Sequence, residues 1–386
     1  MRGSDRSYRL LMRSSLLLLG VAALAVAGCS ADTATESTSS PVPAARVEAV
    51  RGDLDELIRA GAVGVIATVT DNGRSVTLTA GAANAETGQP IPAEPPQHVR
   101  VGSIAKSFVA AIVLQLADAG RVDLDAPVDT YLPGVLTGDG IDGRVITVRQ
   151  LLQHRSGLPE LTENPEIDED LAARTGRTFT PGEEIAIALR RSADFVPGSR
   201  YEYSNTNFIV AAMVVERVTG RAYTDELRDR ILHPLRLTGT YLPPAGELDL
   251  RDPHPHGYAE VDGRRVDASR IEPSVPWAAG GLVSTGADLN RFYSELAAGR
   301  VVPPARLRQM LDGGPTGPEG PNYGLGVMYG PLPCGAEFVG HFGGIHGFLA
   351  ISGATREGRA LTVSITGGLP EERIDPNRLL AHGLCR

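Results

Sequence analysis

Two β-hairpin patterns at opposite ends of the chain constrain its fold most strongly. Apolar, β-branched runs at 63–70 and 75–80 flank Asp71-Asn72-Gly73-Arg74, and Asn-Gly between such runs is a strong hairpin signal. Residues 346–353 and 360–366 form a second pair of runs. The pattern between the hairpins is mainly helical. We therefore predict an α+β fold of the α/β sandwich type: one antiparallel sheet built from both chain ends and flanked by helices, with a mainly helical subdomain inserted at roughly 115–275.

A helix with an unusually broad apolar surface is predicted after the first hairpin. Apolar residues recur at helical spacing from 104 to 116, and Gly120 follows as a stop signal. Such a surface is typical of a helix that is buried on most sides. A second helix is predicted at 208–219, closed by Gly220.

The charge of the chain argues against nucleic-acid binding. Its 386 residues include 37 basic and 46 acidic side chains, giving a net charge of −9 without a basic stripe. The hydrophobic fraction of 42% is ordinary for a globular protein and excludes a disordered chain or a multi-pass membrane protein. Nucleic acid is therefore not expected as a partner.

The first 28 residues have the pattern of an export signal. Four arginines precede an apolar run at 16–27, which is too short to span a bilayer comfortably. Small residues then lead into Cys29, an ending that resembles the bacterial lipobox, in which the cysteine is lipidated. Residues 29–45 are rich in Ser, Thr and Pro, as expected of a tether, and 46–386 form the predicted domain. We predict an extracytoplasmic lipoprotein anchored to the cell membrane by its lipid.

Export affects the interpretation of the other two cysteines. Cys334 and Cys385 are an even pair in an oxidising compartment, which favours a disulfide over a metal site or a nucleophile. Two free buried thiols remain the alternative.

Lysine occurs only once, at position 106, among 37 basic residues. Arginine replaces lysine easily on a surface but not where the amine must lose its proton. Ser103 lies three residues earlier, at the start of the broad apolar helix, so the hydroxyl and the amine share a helix face. Desolvation would lower the pKa of the amine, and together the two groups would make an activated serine. The alternative makes Ser103 a helix N-cap and Lys106 a first-turn surface residue.

Two further segments carry candidate site residues. In an extended segment Tyr203 and Asn205 would point the same way. A phenol close to an ammonium is expected to have a lowered pKa and could shuttle protons, while an Asn amide can hold a carbonyl group. Glycines at 343 and 344, after His341, would let a substrate approach the backbone closely.

The chain resembles the serine penicillin-recognising enzymes, which include class C β-lactamases, D-alanyl-D-alanine carboxypeptidases and related esterases. Three motifs occur in that family's order: Ser103-x-x-Lys106, Tyr203-x-Asn205 and His341-x-Gly343. The segments at 125–133, 151–158, 203–210, 278–285 and 323–326 are also similar, so the resemblance covers nearly all of 46–386. Exported actinobacterial DD-carboxypeptidases are the most similar subgroup.

The resemblance implies a role for each motif residue. Ser103 attacks the scissile carbonyl and forms an acyl-enzyme, while Lys106 and Tyr203 handle the proton, either of them being the possible base. Asn205 and His341 orient the substrate and the charge around Tyr203.

Backbone N–H groups, Trp277 and three further histidines are also assigned roles. The resemblance also implies that the backbone N–H groups of Ser103 and Gly344 hold the oxyanion. Trp277 either lines the cleft or packs in the core, and His154 is expected to satisfy backbone groups. No cofactor or metal is expected, and His254-Pro-His256 is interpreted as a loop because no third ligand is evident.

Two departures from the family pattern limit the specificity. Phe342 stands where family peptidases usually place a hydroxyl residue, with Gly344 where another often follows. The carboxypeptidases have an Arg for the substrate carboxylate after the Gly-Leu-Gly segment, where Val327-Met328-Tyr329 follows in this chain. Such a site should discriminate weakly in favour of C-terminal D-alanine. We predict a serine acyl hydrolase, carboxypeptidase-like on D-alanyl cell-wall peptides, with a β-lactamase or an esterase as alternatives. A non-catalytic lipoprotein that binds β-lactams or the cell wall is the alternative of another class.

Overall fold

The structure is a computed structural model that describes residues 41–316, 320–367 and 373–385. The predicted export signal, the lipidated Cys29 and most of the predicted tether lie outside these residues. The first helix begins at Ala44, just inside the predicted tether.

Helices and strands alternate unevenly along the described chain. The helices are α1 (Ala44–Ala60), α2 (Ala105–Asp118), α3 (Val148–Leu152), α4 (Glu169–Thr175), α5 (Pro181–Ala188), α6 (Thr206–Thr219), α7 (Tyr223–Leu227), α8 (His233–Leu235), α9 (Trp277–Gly280), α10 (Gly286–Ala297), α11 (Pro304–Met310) and α12 (Pro376–Leu384). The strands are β1 (Gly64–Asp71), β2 (Arg74–Gly81), β3 (Val99–Arg100), β4 (Thr137–Gly138), β5 (Ile141–Asp142), β6 (Tyr258–Val261), β7 (Arg264–Asp267), β8 (Val283–Ser284), β9 (Gly314–Pro315), β10 (Asn322–Tyr323), β11 (Met328–Pro331), β12 (Glu337–Ile345), β13 (Phe348–Thr355) and β14 (Arg359–Thr366).

One eight-stranded antiparallel sheet joins the two ends of the chain. Its strand order is β2-β1-β14-β13-β12-β11-β10-β9. The first and last long strands pair directly, with Gly64 opposite Thr366 and Asp71 opposite Arg359. Both predicted hairpins form, and the fold class predicted from the sequence is confirmed.

Helices cover both faces of this sheet. On one face α1 and α12 pack over apolar residues of β1 and β14, such as Val65, Leu361 and Val363. On the other face α10 packs against β13 and β14, and the larger apolar core extends from there around α2 and α6. This arrangement is the predicted sandwich, because each sheet face buries its alternate side chains under a helical layer.

The segment between β2 and β9 contributes no strand to the large sheet. It contains helices α2 to α11 and three two-stranded pairs, β3-β8, β4-β5 and β6-β7. Helix α2 links this segment to the large sheet. Nearly all of its side chains are buried, including Lys106 and Ser107. Its entry turn, a 3-10 turn at Gly102–Ile104, lies against strand β12.

Cys334 and Cys385 form a disulfide between the loop after β11 and the residue that ends α12. None of the helices in the described part of the chain is long and apolar enough to cross a membrane.

Candidate active site

Ser103 and Lys106 meet at the entry to helix α2. Ser103 lies in the 3-10 turn and Lys106 in the first turn of the helix, so their side chains project from the same face. Lys106 Nζ lies 3.0 Å from Ser103 Oγ. The Lys106 side chain has no exposed surface, so the alternative of a surface lysine does not describe this structure.

Burial decides the charge of Lys106. It lowers the pKa of the amine to about 7, and the Glu160 carboxylate, which raises the pKa, offsets this only in part. The amine also lies 2.7 Å from Asn205 Oδ1 and 2.7 Å from the carbonyl oxygen of Ala279. Both oxygens can only accept hydrogen bonds, so a neutral amine directs its two N–H groups to them. The remaining lone pair then faces the Ser103 hydroxyl.

Glu160 fixes the orientation of Asn205. The Asn205 Nδ2 group donates to Glu160 Oε1 at 2.8 Å, which turns Oδ1 towards Lys106. The backbone N–H of Asn205 donates to Glu160 Oε2 at 2.5 Å. Asn205 has helical dihedral angles at the start of α6. The premise that Asn205 shares a strand face with Tyr203 was therefore wrong, because the chain has already turned into the helix.

Tyr203 brings a half-buried ring to the same place, with its hydroxyl oxygen shielded from solvent. Its ring centroid lies 5.0 Å from Lys106 Nζ, and its hydroxyl has no hydrogen-bond partner among the described residues. Burial raises the pKa of the phenol, and the nearby Ser103 hydroxyl lowers it only in part. The expectation of a lowered pKa was wrong, because desolvation of the phenol outweighs the other effects on its pKa.

Strand β12 closes the other side of the site. Strand β11 pairs with it only as far as Gly340, so residues 341–345 instead face the turn that holds Ser103. A methyl group on Gly343 would lie 2.0 Å from the Val101 carbonyl oxygen and 2.9 Å from Ser103 N. Glycine is required here for close backbone approach. Gly344, the next residue, stays exposed and brings its N–H beside the same turn, where the sequence predicts the oxyanion site.

The structure corrects the predicted role of His341. Its side chain is fully buried, with Nε2 3.0 Å from the Tyr323 hydroxyl and Nδ1 2.5 Å from the Phe342 carbonyl oxygen. Both ring nitrogens are thus engaged within the protein and are not free to orient a substrate. Burial also lowers the pKa of the imidazole to about 3, so it carries no charge near neutral pH. The Phe342 side chain packs on the opposite face of the sheet, against the core under α1 and α12.

Trp277 is half-buried and packs against the main core, one of the two roles that the sequence left open. Its ring packs edge-on against Tyr223, with centroids 5.7 Å apart, and contacts the main core. It begins α9, the short helix whose Ala279 carbonyl accepts a hydrogen bond from Lys106. Its φ angle of 28° is rare for a non-glycine residue. Such strained positions cluster at functional sites.

The imidazole rings of His254 and His256 lie close together, with centroids 5.8 Å apart. Among the described residues no group of three or more His, Cys, Asp or Glu side chains is placed to hold a metal ion. His256 Nδ1 lies 2.5 Å from Asp267 Oδ2, so this imidazole has an acidic partner in a surface pair.

The sequence interpretation missed three contributors to the site. Glu160 orients Asn205, Ala279 supplies a carbonyl oxygen to Lys106, and Tyr323 links two buried histidines. A sequence signal existed for two of them. Glu160 directly follows the family-like segment at 151–158 and Pro159, and Tyr323 begins the family-like segment at 323–326.

Solved structures similar to this one include a D-stereospecific amidohydrolase and a D-amino acid amidase. A D-stereospecific amidohydrolase from a Streptomyces species is 37% identical, with a TM-score of 0.78, covering 88% of this chain and 98% of that one. A D-amino acid amidase from Ochrobactrum anthropi SV3, complexed with L-phenylalanine amide, is 29% identical, with a TM-score of 0.75, covering 87% of this chain and 98% of the amidase.

Curated relatives include penicillin-binding proteins. Penicillin-binding protein 4 of Amycolatopsis lactamdurans is 30% identical over 193 residues, which are 50% of this chain and 48% of that protein. The chain therefore spans about half the length of this curated relative.

A family model supplies the assignment. The model described as Beta-lactamase matches residues 45–384, nearly the whole described chain. The matched range contains every residue of the site built above. The protein belongs to the beta-lactamase family of serine hydrolases.

Proposed function

We propose that the protein is a serine amidase that cleaves D-amino acid amides or esters through an acyl-enzyme. One observation carries the proposal: the buried Lys106 Nζ lies 3.0 Å from Ser103 Oγ and 2.7 Å from each of two carbonyl oxygens. When the amine is neutral and gives its two N–H groups to those oxygens, its lone pair is left for the Ser103 hydroxyl. A neutral amine in this position is a general base for the serine.

Each step of the proposed reaction uses a group in this site. Ser103 gives its proton to Lys106 Nζ as Oγ bonds to the substrate carbonyl carbon. The oxyanion is held by the backbone N–H groups of Ser103 and Gly344. Tyr203, kept protonated by burial, donates its proton to the leaving nitrogen or oxygen as that bond breaks, and recovers a proton from Lys106. Water then hydrolyses the ester on Ser103.

The amide specificity is supported by two features. Val327-Met328-Tyr329 follows the Gly-Leu-Gly segment and supplies no guanidinium for a terminal carboxylate. Phe342 supplies no hydroxyl, and its side chain packs on the opposite face of the sheet. The two similar solved structures, each matched over 98% of its own length, are a D-stereospecific amidohydrolase and a D-amino acid amidase. A D-alanyl-D-alanine carboxypeptidase is the second candidate, favoured by the similarity to a penicillin-binding protein.

The test compares four substrates on the purified chain: D-phenylalanine amide, L-phenylalanine amide, a diacetylated Lys-D-Ala-D-Ala peptide and benzylpenicillin. We expect release of ammonia from the D-amide, at least ten times slower release from the L-amide, and slow cleavage of the peptide. Ser103→Ala should abolish every reaction. Faster cleavage of the peptide than of the D-amide would replace the amidase with the carboxypeptidase.

We also propose that the chain is exported and lipid-anchored at Cys29. The Cys334–Cys385 disulfide supports an oxidising compartment. Metabolic labelling with a palmitate analogue in a bacterial host tests the anchor: label should enter the wild-type chain and not Cys29→Ala. Equal labelling of the two would contradict it.

A further inference from the structure

A chain of hydrogen bonds between three buried side chains lies beside the proposed active site. His154 Nε2 is 3.1 Å from the Tyr323 hydroxyl, and that hydroxyl is 3.0 Å from His341 Nε2. His154 and His341 have no exposed surface, and Tyr323 is 2% exposed. The three residues come from three separate segments of the sequence. The sequence alone assigned no role to the hydrogen bonds between them.

The donors and acceptors permit one direction along this chain. The backbone N–H of Ser204 donates to His154 Nδ1 at 3.1 Å, so that nitrogen carries the lone pair. Burial, with Lys106 and His341 nearby, keeps the pKa of His154 well below its usual range, so the ring is neutral. A neutral ring with Nδ1 as acceptor has its proton on Nε2 and donates to Tyr323.

The direction continues to the other end. Having accepted from His154, the Tyr323 hydroxyl donates its own proton to His341 Nε2. His341 then carries its proton on Nδ1 and donates to the carbonyl oxygen of Phe342. Every donor is matched by an acceptor, and a reversed chain would set the Ser204 N–H against a second N–H.

His154 holds Tyr203 from three sides. Its imidazole lies against the Tyr203 ring, with centroids 4.1 Å apart. The residue before Tyr203, Glu202, donates its N–H to the His154 carbonyl oxygen at 2.9 Å, and the residue after it, Ser204, donates to the ring. His154 itself has a φ angle of 55°, in the left-handed region. These contacts fix the Tyr203 ring without using its hydroxyl.

The far end of the chain acts on strand β12. His341 lies in that strand two residues before Gly343, which is packed on the turn that carries Ser103. The imidazole is bonded to the carbonyl of its own next residue. The hydrogen-bond chain thus ties the segment that carries Tyr203 to the strand that carries the proposed oxyanion N–H.

We propose that His154, Tyr323 and His341 are positioning residues that set the distance between the Tyr203 hydroxyl and the oxyanion site. They touch neither the substrate nor the reacting atoms. This inference rests on the proposed serine hydrolase function for its kinetic consequence, but the hydrogen-bond chain itself can be measured without any substrate.

The first test is the proton position on each ring. Long-range ¹H–¹⁵N spectra of the protein labelled with ¹⁵N-histidine distinguish the tautomers, with His154→Gln and His341→Asn used only to assign signals. We expect His154 protonated on Nε2 and His341 on Nδ1, both neutral and unchanged between pH 5.5 and 8. A charged ring, or the opposite tautomer at either position, would overturn the proposal.

The second test is kinetic and uses Tyr323→Phe, which removes the bridging hydroxyl. The matched control is Tyr293→Phe. The Tyr293 side chain is as buried as that of Tyr323, but its hydroxyl is hydrogen-bonded to Ser107, which is not part of the His154–Tyr323–His341 hydrogen-bond chain. With p-nitrophenyl acetate we expect kcat to fall about tenfold in Tyr323→Phe with KM within twofold, and both constants to stay within twofold in the control. Equal kcat in the two variants would refute the positioning role. If the wild type and Ser103→Ala hydrolyse the ester equally, the proposed function fails while the spectra still decide the hydrogen-bond chain.

Discussion

Lys106 Nζ lies 3.0 Å from Ser103 Oγ, and the amine is buried so completely that its pKa is lowered to about 7. The pair therefore changes its charge within the working pH range.

The rate should depend on the proton of Lys106. As the base, the amine must be neutral, so kcat/KM for p-nitrophenyl acetate should rise with pH through a midpoint near 7. In Lys106→Arg the guanidinium keeps its proton, and activity should fall by about 10²–10⁴. The measurement is a pH–rate profile with the Ser103→Ala background subtracted. A Lys106→Arg variant with more than a tenth of wild-type activity would show that another group is the base.

Removing the Glu160 charge should move the same profile. The carboxylate raises the pKa of Lys106, so Glu160→Gln should lower it and shift the acidic limb to lower pH. The plateau should also fall several-fold, because one of the two acceptors that orient Asn205 is lost. Glu163→Gln, three residues along and exposed, serves as the control. A limb that moves to higher pH would contradict the assigned charge effect.

Enlarging Gly343 should damage the site more than it destabilises the fold. In Gly343→Ala the new methyl group would lie 2.0 Å from the Val101 carbonyl oxygen, so β12 must move away from the serine turn. We expect a loss of about 1–3 kcal/mol in the free energy of unfolding and at least a hundredfold loss of kcat/KM.

The control for this variant is Gly52→Ala in helix α1. Apart from its chain neighbours and the backbone of its own helix, no atom lies within 4 Å of the added methyl group. Alanine stabilises a helix by about 0.5–1 kcal/mol relative to glycine. Chemical denaturation and ester kinetics on both variants give the comparison. Normal activity in Gly343→Ala would mean that the close approach of β12 is not needed for catalysis.

Stability should respond to pH through Glu184. This helix α5 side chain has no exposed surface, neither carboxyl oxygen has a hydrogen-bond partner among the described residues, and burial raises its pKa well above the usual value. The unfolded chain therefore loses this proton at lower pH than the folded protein. Its contribution to stability is full below the ordinary Glu pKa and is lost as pH rises towards the folded pKa.

Glu184→Gln keeps the shape without an ionisable proton, so it should flatten that decline. We expect Tm of the variant to exceed that of the wild type by more at pH 8 than at pH 5. The control is Glu48→Gln, at an exposed position of α1, for which the Tm difference from the wild type should be near zero at both pH values. Thermal melts at the two pH values test this. A Tm difference that is larger at pH 5 would mean that Glu184 is ionised in the folded protein.

The sequence predicts those parts of this protein that depend on local pattern. Asn72-Gly73 predicts a hairpin because the turn depends only on the φ angles that these two residues can adopt. The Ser103–Lys106 contact follows from helical spacing alone. The direction of the Tyr203 pKa shift was missed because it depends on burial by residues distant in sequence, such as His154. His341 was misjudged for the same reason: its partner Tyr323 lies on a different strand, and no spacing rule links them.

The pairing of β1 with β14 also sets an order of events during synthesis. Gly64 and Thr366 are 302 residues apart, so the first strand waits for its neighbour until almost the whole chain has been made. At about 5–20 residues per second this wait lasts roughly 15–60 s, during which one edge of the amino-terminal hairpin is unpaired. Ser103 is made early, but strand β12 that completes its surroundings is made late. A nascent chain that has not reached β12 therefore lacks the Gly343 and Gly344 side of the site, which is completed only when the last strands have been made.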